Sequence, residues 1–221
     1  IVISEVIRDL VRVRHGRNAF LIPNGVVPVE PRVDRNLVEE FGLEPGRYFL
    51  QVSRMVPEKR QIDLIRAFSR SRPAGWKLAL VGALGDDEYS ARVDDLARST
   101  PDVVLTGFQK GTSLAQLYSH AGSFVLPSTH EGLPIAILEA LSYGLPVLAS
   151  DIPANLEIGL GPAHYFAKGD VDALASALER AAAEPIDTDR RAERRRWVLE
   201  RYDWERIARQ TLDVYRAVSR S

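Results

Sequence analysis

The sequence predicts a doubly wound α/β domain, a single parallel sheet with helices on both faces. Two observations carry this expectation: short β-rich runs alternate with amphipathic stretches, and runs such as Leu78-Ala79-Leu80-Val81 are apolar throughout, as strands covered on both sides must be. The first run is Tyr48–Val52, followed by a helix over 58–71 in which Ile62, Ile65 and Phe68 recur every three residues. A strand over 76–81 leads to a helix over 87–99 with Tyr89, Val93 and Leu96 on one face. A strand over 103–105 precedes a helix over 113–121 with Leu114, Leu117 and Tyr118 inward. Ser123–Leu126 is the fourth strand, 134–143 the fourth helix, and 146–149 the fifth strand. A weaker strand over 163–166 enters an Ala-rich helix over Val171–Ala183. Right-handed crossovers between such strands give a Rossmann-like sheet.

The ends depart from this alternation. Residues 1–22 read as a helix carrying Val6, Leu10 and Val13, then a short strand over 19–22 and the turn Pro23-Asn24-Gly25. After Glu184-Pro185 the chain turns helical again, and Trp204, Ala208, Thr211, Tyr215 and Val218 form an apolar stripe that needs a partner surface. Arg190 to Arg196, five Arg in seven residues, is the only charge run and reads as a solvated helix face.

Composition narrows the function. The 221 residues carry 29 Lys+Arg against 30 Asp+Glu, a net charge of -1, which argues against a general polyanion or nucleic-acid binder. With 45% hydrophobic and 27% charged residues the chain is neither disordered nor fibrous. The absence of Cys removes disulfides, thiolate metal sites and cysteine nucleophiles. The opening Ile1-Val2-Ile3-Ser4-Glu5 has no Met, basic region or long apolar region, so no signal peptide is read and the chain is expected to be cut from something longer. The most apolar stretch, 133–149, is interrupted by Glu139, Gly144 and Pro146 and is shorter than the ~20 residues of a membrane span. A cytoplasmic-type domain is expected.

Ligands of an open parallel sheet sit beyond the carboxyl ends of its strands. Arg54 and Lys59 follow the first strand; a guanidinium fork and a point charge there suit a diphosphate, although either cation alone is as readily a solvated side chain. Gly82 and Gly85 follow the second strand and serve a tight turn or a close ligand approach. No strand end carries G-x-G-x-x-G, which removes most support for a nicotinamide dehydrogenase. The fourth strand end, Ser128 to Glu139, is the most informative. Pro134 suits a first helical position, which puts Glu131 on a loop and Glu139 inside a helix. The amides of Gly132 and Leu133 are then free to donate, and two carboxylates roughly ten Å apart could grip two hydroxyl-bearing rings with a diphosphate between them. The bland reading makes Glu131 a capping acid and Glu139 a surface residue, but Ile135, Ile137, Leu138 and Leu141 surround Glu139.

The segment from Leu126 through Glu131-Gly132-Leu133-Pro134 and Glu139-Ala140 to Asp151 resembles the signature of glycosyltransferase family 4, retaining enzymes of GT-B fold that use nucleotide-diphosphate sugars. Ile22-Pro23-Asn24-Gly25-Val26 resembles the family's interdomain connection, Ser53-Arg54 with Glu58-Lys59 its donor-phosphate motif, and Leu80-Val81-Gly82 and Leu105-Thr106-Gly107-Phe108 recur in the same order. The resemblance implies that Arg54 and Lys59 hold the donor diphosphate without a metal, and that Glu131 contacts the donor sugar. It further implies that amides of Gly132, Leu133 and Ile135 bind sugar or phosphate, Glu139 the ribose hydroxyls, and the backbone near Gly82 and Phe108 the rest of the donor and its base. No cofactor is implied beyond the UDP- or GDP-sugar substrate.

It implies a division as well: 1–22 as a remnant of the amino-terminal acceptor domain, 23–28 as the connection, 29–185 as the Rossmann-like nucleotide-sugar-binding domain, and 186–221 as helices packing back on the absent domain. The chain is then the C-terminal half of a GT-B enzyme, cytoplasmic, with room for contact of the full-length enzyme with the inner face of the membrane. The sequence departs from the family at Arg60, where Gly is commoner, and at Pro153-Ala154-Asn155 in place of a Gly-rich loop before Glu157; His130 occupies a variable position. A non-catalytic nucleotide-binding module and a nucleotide-sugar epimerase of the same architecture are the alternatives; the glutamate pair favours transfer over both.

Overall fold

The structure, a computed structural model, describes residues 1–219; Arg220 and Ser221, the end of the expected C-terminal helical segment, lie outside the described residues. In chain order come α1 (Glu5–His15), α2 (Asn36–Glu40), β1 (Tyr48–Val52), α3 (Gln61–Ser71), β2 (Lys77–Val81), α4 (Glu88–Ser99), β3 (Val103–Gly107) and α5 (Gly111–His120). These are followed by β4 (Ser123–Leu126), α6 (Ile135–Ser142), β5 (Val147–Ser150), α7 (Pro153–Leu156), β6 (Tyr165–Phe166), α8 (Val171–Ala183), α9 (Thr188–Tyr202) and α10 (Trp204–Val218). The six strands form one parallel sheet in the order β3-β2-β1-β4-β5-β6. The direction of winding reverses between β1 and β4, and a crevice opens at such a switch point.

Alternation along each strand sends side chains to two cores. Phe49, Leu78, Leu80, Val125 and Leu148 pack under α3, α4 and α8, while Tyr48, Leu50, Ala79, Phe124 and Val147 pack under α2, α5, α6 and α9. Buried strand residues facing both ways explain the continuous apolar runs.

Four local features differ from the sequence reading. The helix expected over 58–71 is broken: Pro57–Lys59 form a 3-10 turn, Arg60 takes left-handed angles (φ 56, ψ 37), and α3 begins at Gln61. A glycine would suit this conformation, which a Cβ disfavours. Lys59 therefore ends a turn and does not stand in the helix. Pro134 (φ -77, ψ 81) precedes α6 as its cap residue, not as its first turn. The strand expected over 19–22 is reduced to one parallel bridge between Leu21 and Val2.

The arginine run on α9 is not wholly solvated. Arg191 donates to the carbonyls of Ser119 (3.2 Å) and Ala121 (2.6 Å) at the end of α5, and Arg194 to that of Gly144 (3.4 Å) just beyond α6. These are carbonyls that helix ends leave without intrahelical partners. Burial, and then neighbouring arginines, lower both guanidinium pKa values from their ordinary range.

The stripe on α10 remains open: Tyr215 is 64% and Val218 61% exposed, Trp204 and Leu212 are exposed too, and only Ile207 is buried. Segment 23–28 meets these helices at Val26, whose N–H donates to the Tyr202 carbonyl at 2.7 Å.

Candidate functional site

The carboxyl ends of β1 and β4 bring two of the sequence-selected residues together. Lys59 Nζ lies 2.5 Å from Glu131 Oε1, and the two side chains are only 18% and 9% exposed. The pair spans the crevice where the winding reverses. Arg54 stands on the same edge, exposed, and its guanidinium makes no hydrogen bond or ion pair among the described residues. One cation is thus neutralised internally and one is free.

The segment carrying these cations is held through its backbone. Gln61, fully buried, donates from Nε2 to the Arg54 carbonyl (2.8 Å) and Ser53 Oγ (2.9 Å) and accepts from the Tyr89 hydroxyl (2.9 Å). Gln51, 1% exposed and next to last in β1, donates to the Lys59 carbonyl at 2.8 Å. The Thr129 N–H, from the loop after β4, donates to the Glu58 carbonyl at 2.8 Å.

Gly82 lies behind the crevice. A Cβ there would sit 2.2 Å from the Ser53 carbonyl oxygen, so glycine is required for the close approach of the β1 and β2 ends. Phe108 projects beyond β3 with 68% of its surface exposed. The amides of Gly132 and Leu133 donate to nothing among the described residues, whereas the Ile135 amide already donates to the Leu133 carbonyl at 2.9 Å. Of the three amides singled out in the sequence, two are free.

Glu139 points elsewhere, into a cleft of about 320 Å³ between α5, α6 and the segment around Val27, lined by Val27, Gly111, Leu114, Ile135 and Trp204 among others. Its Oε2 accepts from the Tyr118 hydroxyl at 2.9 Å, and the Tyr118 ring stacks on Tyr143 at 5.2 Å. Burial raises the Glu139 pKa against the opposing hydrogen bond from Tyr118; burial and the neighbouring carboxylate raise that of Tyr118. Glu139 is therefore neither a free surface acid nor part of the Lys59–Glu131 pair. The geometry is two-part: a charged crevice and a carboxylate-bearing cleft at either end of the first turns of α6.

Glu157 accepts from the first helical N–H of α1, at Glu5, with an N···O distance of 2.6 Å, and Ile3 and Ile7 approach Gly132. Pro153-Ala154-Asn155 form α7, and buried Asn155 holds the Ser150 carbonyl at 2.9 Å. His130 is exposed. Tyr118, Gln51 and Gln61 escaped the sequence reading as site residues; a single glutamine inside the apolar run Tyr48–Val52 was the available signal for one of them.

Residues 46–184 match the family described as Glycosyl transferases group 1. The chain is 32% identical to an alpha-maltose-1-phosphate synthase of Mycobacterium tuberculosis, across 99% of this chain and 62% of that protein. It is 28% identical to a GDP-mannose:cellobiosyl-diphosphopolyprenol alpha-mannosyltransferase of Xanthomonas campestris, across 78% of this chain and 47% of the relative. Among solved structures, Anabaena HepE in complex with UDP and glucose aligns over 98% of this chain and 62% of its own, with a TM-score of 0.85 at 20% identity. A glycosyltransferase from Rickettsia africae aligns over the same shares with a TM-score of 0.87 at 16% identity. At these identities the structural likeness shows the fold, a Rossmann-like sheet of GT-B type. The chain spans 54% and 62% of the length of two mycobacterial relatives. Since the family match extends over well more than half of its residues, this chain belongs to the glycosyl transferase group 1 family.

Proposed function

We propose that the chain is the donor-binding half of a retaining glycosyltransferase of family 4, moving a sugar from a nucleotide-diphosphate sugar to an acceptor held by an amino-terminal domain. The observation that carries this reading is the two-part site: Lys59 and Glu131 at the switch point, and Glu139 in a separate cleft beside α6. Glu139 takes the ribose hydroxyls in the cleft. The diphosphate lies over the free amides of Gly132 and Leu133 and between Arg54 and Lys59. Phe108 and the Gly82 backbone border the nucleotide, and Glu131 takes a hydroxyl of the transferred sugar.

In the reaction the bond between the anomeric carbon and the diphosphate oxygen breaks through an oxocarbenium-like state. The acceptor oxygen bonds the same face, and its proton passes to the departing phosphate. Arg54 and Lys59 stabilise the charge that develops on that phosphate, so this reading needs neither metal nor further cofactor. The names of relatives support donors of this class: GDP-mannose appears in one, and HepE has been solved with UDP-glucose.

Residues 1–22 and the exposed face of α10 belong, in this reading, against the acceptor domain of the same polypeptide. No helix among the described residues is long and apolar enough to cross a membrane. We place the reaction in the cytoplasm, with the full-length enzyme free to touch the membrane's inner face. Calorimetry with UDP- and GDP-sugars tests donor binding, and transfer by the full-length protein tests catalysis. Loss of transfer in Lys59→Ala and Glu131→Ala is expected; unchanged transfer in both, or no binding of any nucleotide sugar, overturns the reading.

A further inference from the structure

We infer that Gln51 and Gln61 are positioning residues that hold the backbone of the cation-bearing segment, and through it Arg54 and Lys59, for a diphosphate. The inference rests on the donor-binding reading above. Segment 53–60 has no regular structure beyond one 3-10 turn, and it carries both cations. Besides the helical bond that the Arg60 carbonyl accepts from Leu64, three of its carbonyls, at Arg54, Glu58 and Lys59, accept hydrogen bonds from outside the segment: from Gln61, Thr129 and Gln51. Two of those three donors are glutamine side chains buried in the domain.

Buried amides are costly unless their polar atoms are used. Gln61 uses both ends, because its carbonyl is held by Tyr89 while its NH₂ group holds Arg54 and Ser53. Gln51 is the more telling case. Its Oε1 is buried and has no partner, so the side chain carries an unsatisfied acceptor in the central strand in order to reach the Lys59 carbonyl. A leucine or methionine there would satisfy the core better, and packing alone gives no reason for the glutamine. The left-handed Arg60 follows directly after that carbonyl. The arrangement fixes the backbone at both cations while leaving the exposed Arg54 guanidinium without a protein partner, available to an arriving diphosphate.

The test measures binding of UDP, GDP and the corresponding nucleosides to wild type, Gln51→Met and Gln61→Met, with thermal unfolding alongside. Both variants are expected to weaken the diphosphate about tenfold or more, leave nucleoside affinity unchanged, and, for Gln51→Met, keep the melting temperature within a few degrees of wild type. Equal loss of nucleoside and diphosphate affinity, or no loss of either, overturns the positioning role. Failure of wild type to bind UDP or GDP overturns the donor-binding reading instead. Should Gln61→Met fail to fold, Tyr89→Phe removes only the bond to Gln61 Oε1, and the same selective loss is expected, its absence counting against the inference.

Discussion

Lys59 and Glu131 meet at 2.5 Å across the gap between β1 and β4, so the cation assigned to phosphate already has an internal anion. A diphosphate entering the crevice competes with that carboxylate. Glu131→Gln is therefore expected to bind UDP more tightly, by roughly 1 kcal/mol or about fivefold, while transfer is expected to fall with loss of the proposed sugar contact. Calorimetry with UDP alone checks the first part. Weaker binding in Glu131→Gln would mean that the carboxylate orders the ammonium for the ligand.

Burial raises the Glu139 pKa above its ordinary value of 4.5. The folded state then holds the proton more tightly than the unfolded chain, so the stability of wild type relative to Glu139→Gln is greatest at low pH. It declines as pH rises through the raised folded value and is flat above it. Tyr118→Phe removes the hydrogen bond that opposes the shift and moves this window upward. Denaturant melts of the three proteins across pH 4 to 8 measure both effects, and parallel curves for wild type and Glu139→Gln would contradict them.

Arg60 occupies a left-handed conformation and also pairs with Asp63. Both Arg60→Gly and Arg60→Ala lose the pair, so their difference isolates the backbone. Glycine is expected to be the more stable by about 1 kcal/mol, as read by chemical denaturation.

Gly82→Ala would place a methyl 2.2 Å from the Ser53 carbonyl oxygen. The neighbouring strand ends must separate, at a cost of roughly 1–3 kcal/mol, and Arg54, one residue beyond Ser53, moves with them. Lower stability together with weaker diphosphate binding is expected. A melting temperature equal to wild type would show that the strand ends yield freely.

Periodicity made most of the sheet and its helices legible: α8 begins and ends where the Ala-rich pattern does, at Val171 and Ala183, because capping by Asp170 and an amphipathic face agree there. The break at Arg60 was hidden because arginine does not advertise a left-handed angle as glycine does. The 19–22 strand was read from local composition, yet a strand needs a neighbour along its length, and Leu21 finds only Val2. Glu131 and Glu139 were visible as a pair, but not that one faces a lysine and the other a tyrosine, since those partners lie 72 and 21 residues away. The arginine run showed its charge and not its occupation, because Arg191 and Arg194 find their carbonyls only after α9 packs beside α5 and α6.

That grip by α9 has a mechanical side. Side chains along the length of α5 and α6 frame the cleft that holds Glu139, and the C-terminal ends of both helices are tied by guanidinium groups to a helix that runs through Asp203 into the exposed α10. A load applied to α10 reaches α9 and, through it, the C-terminal ends of both site helices. Any displacement of α9 must either carry those helices with it or strand two half-buried arginines. The C-terminal helices are thus a lever joined to the Glu139 cleft at two places, through the arginines of α9 and through Trp204 at the start of α10.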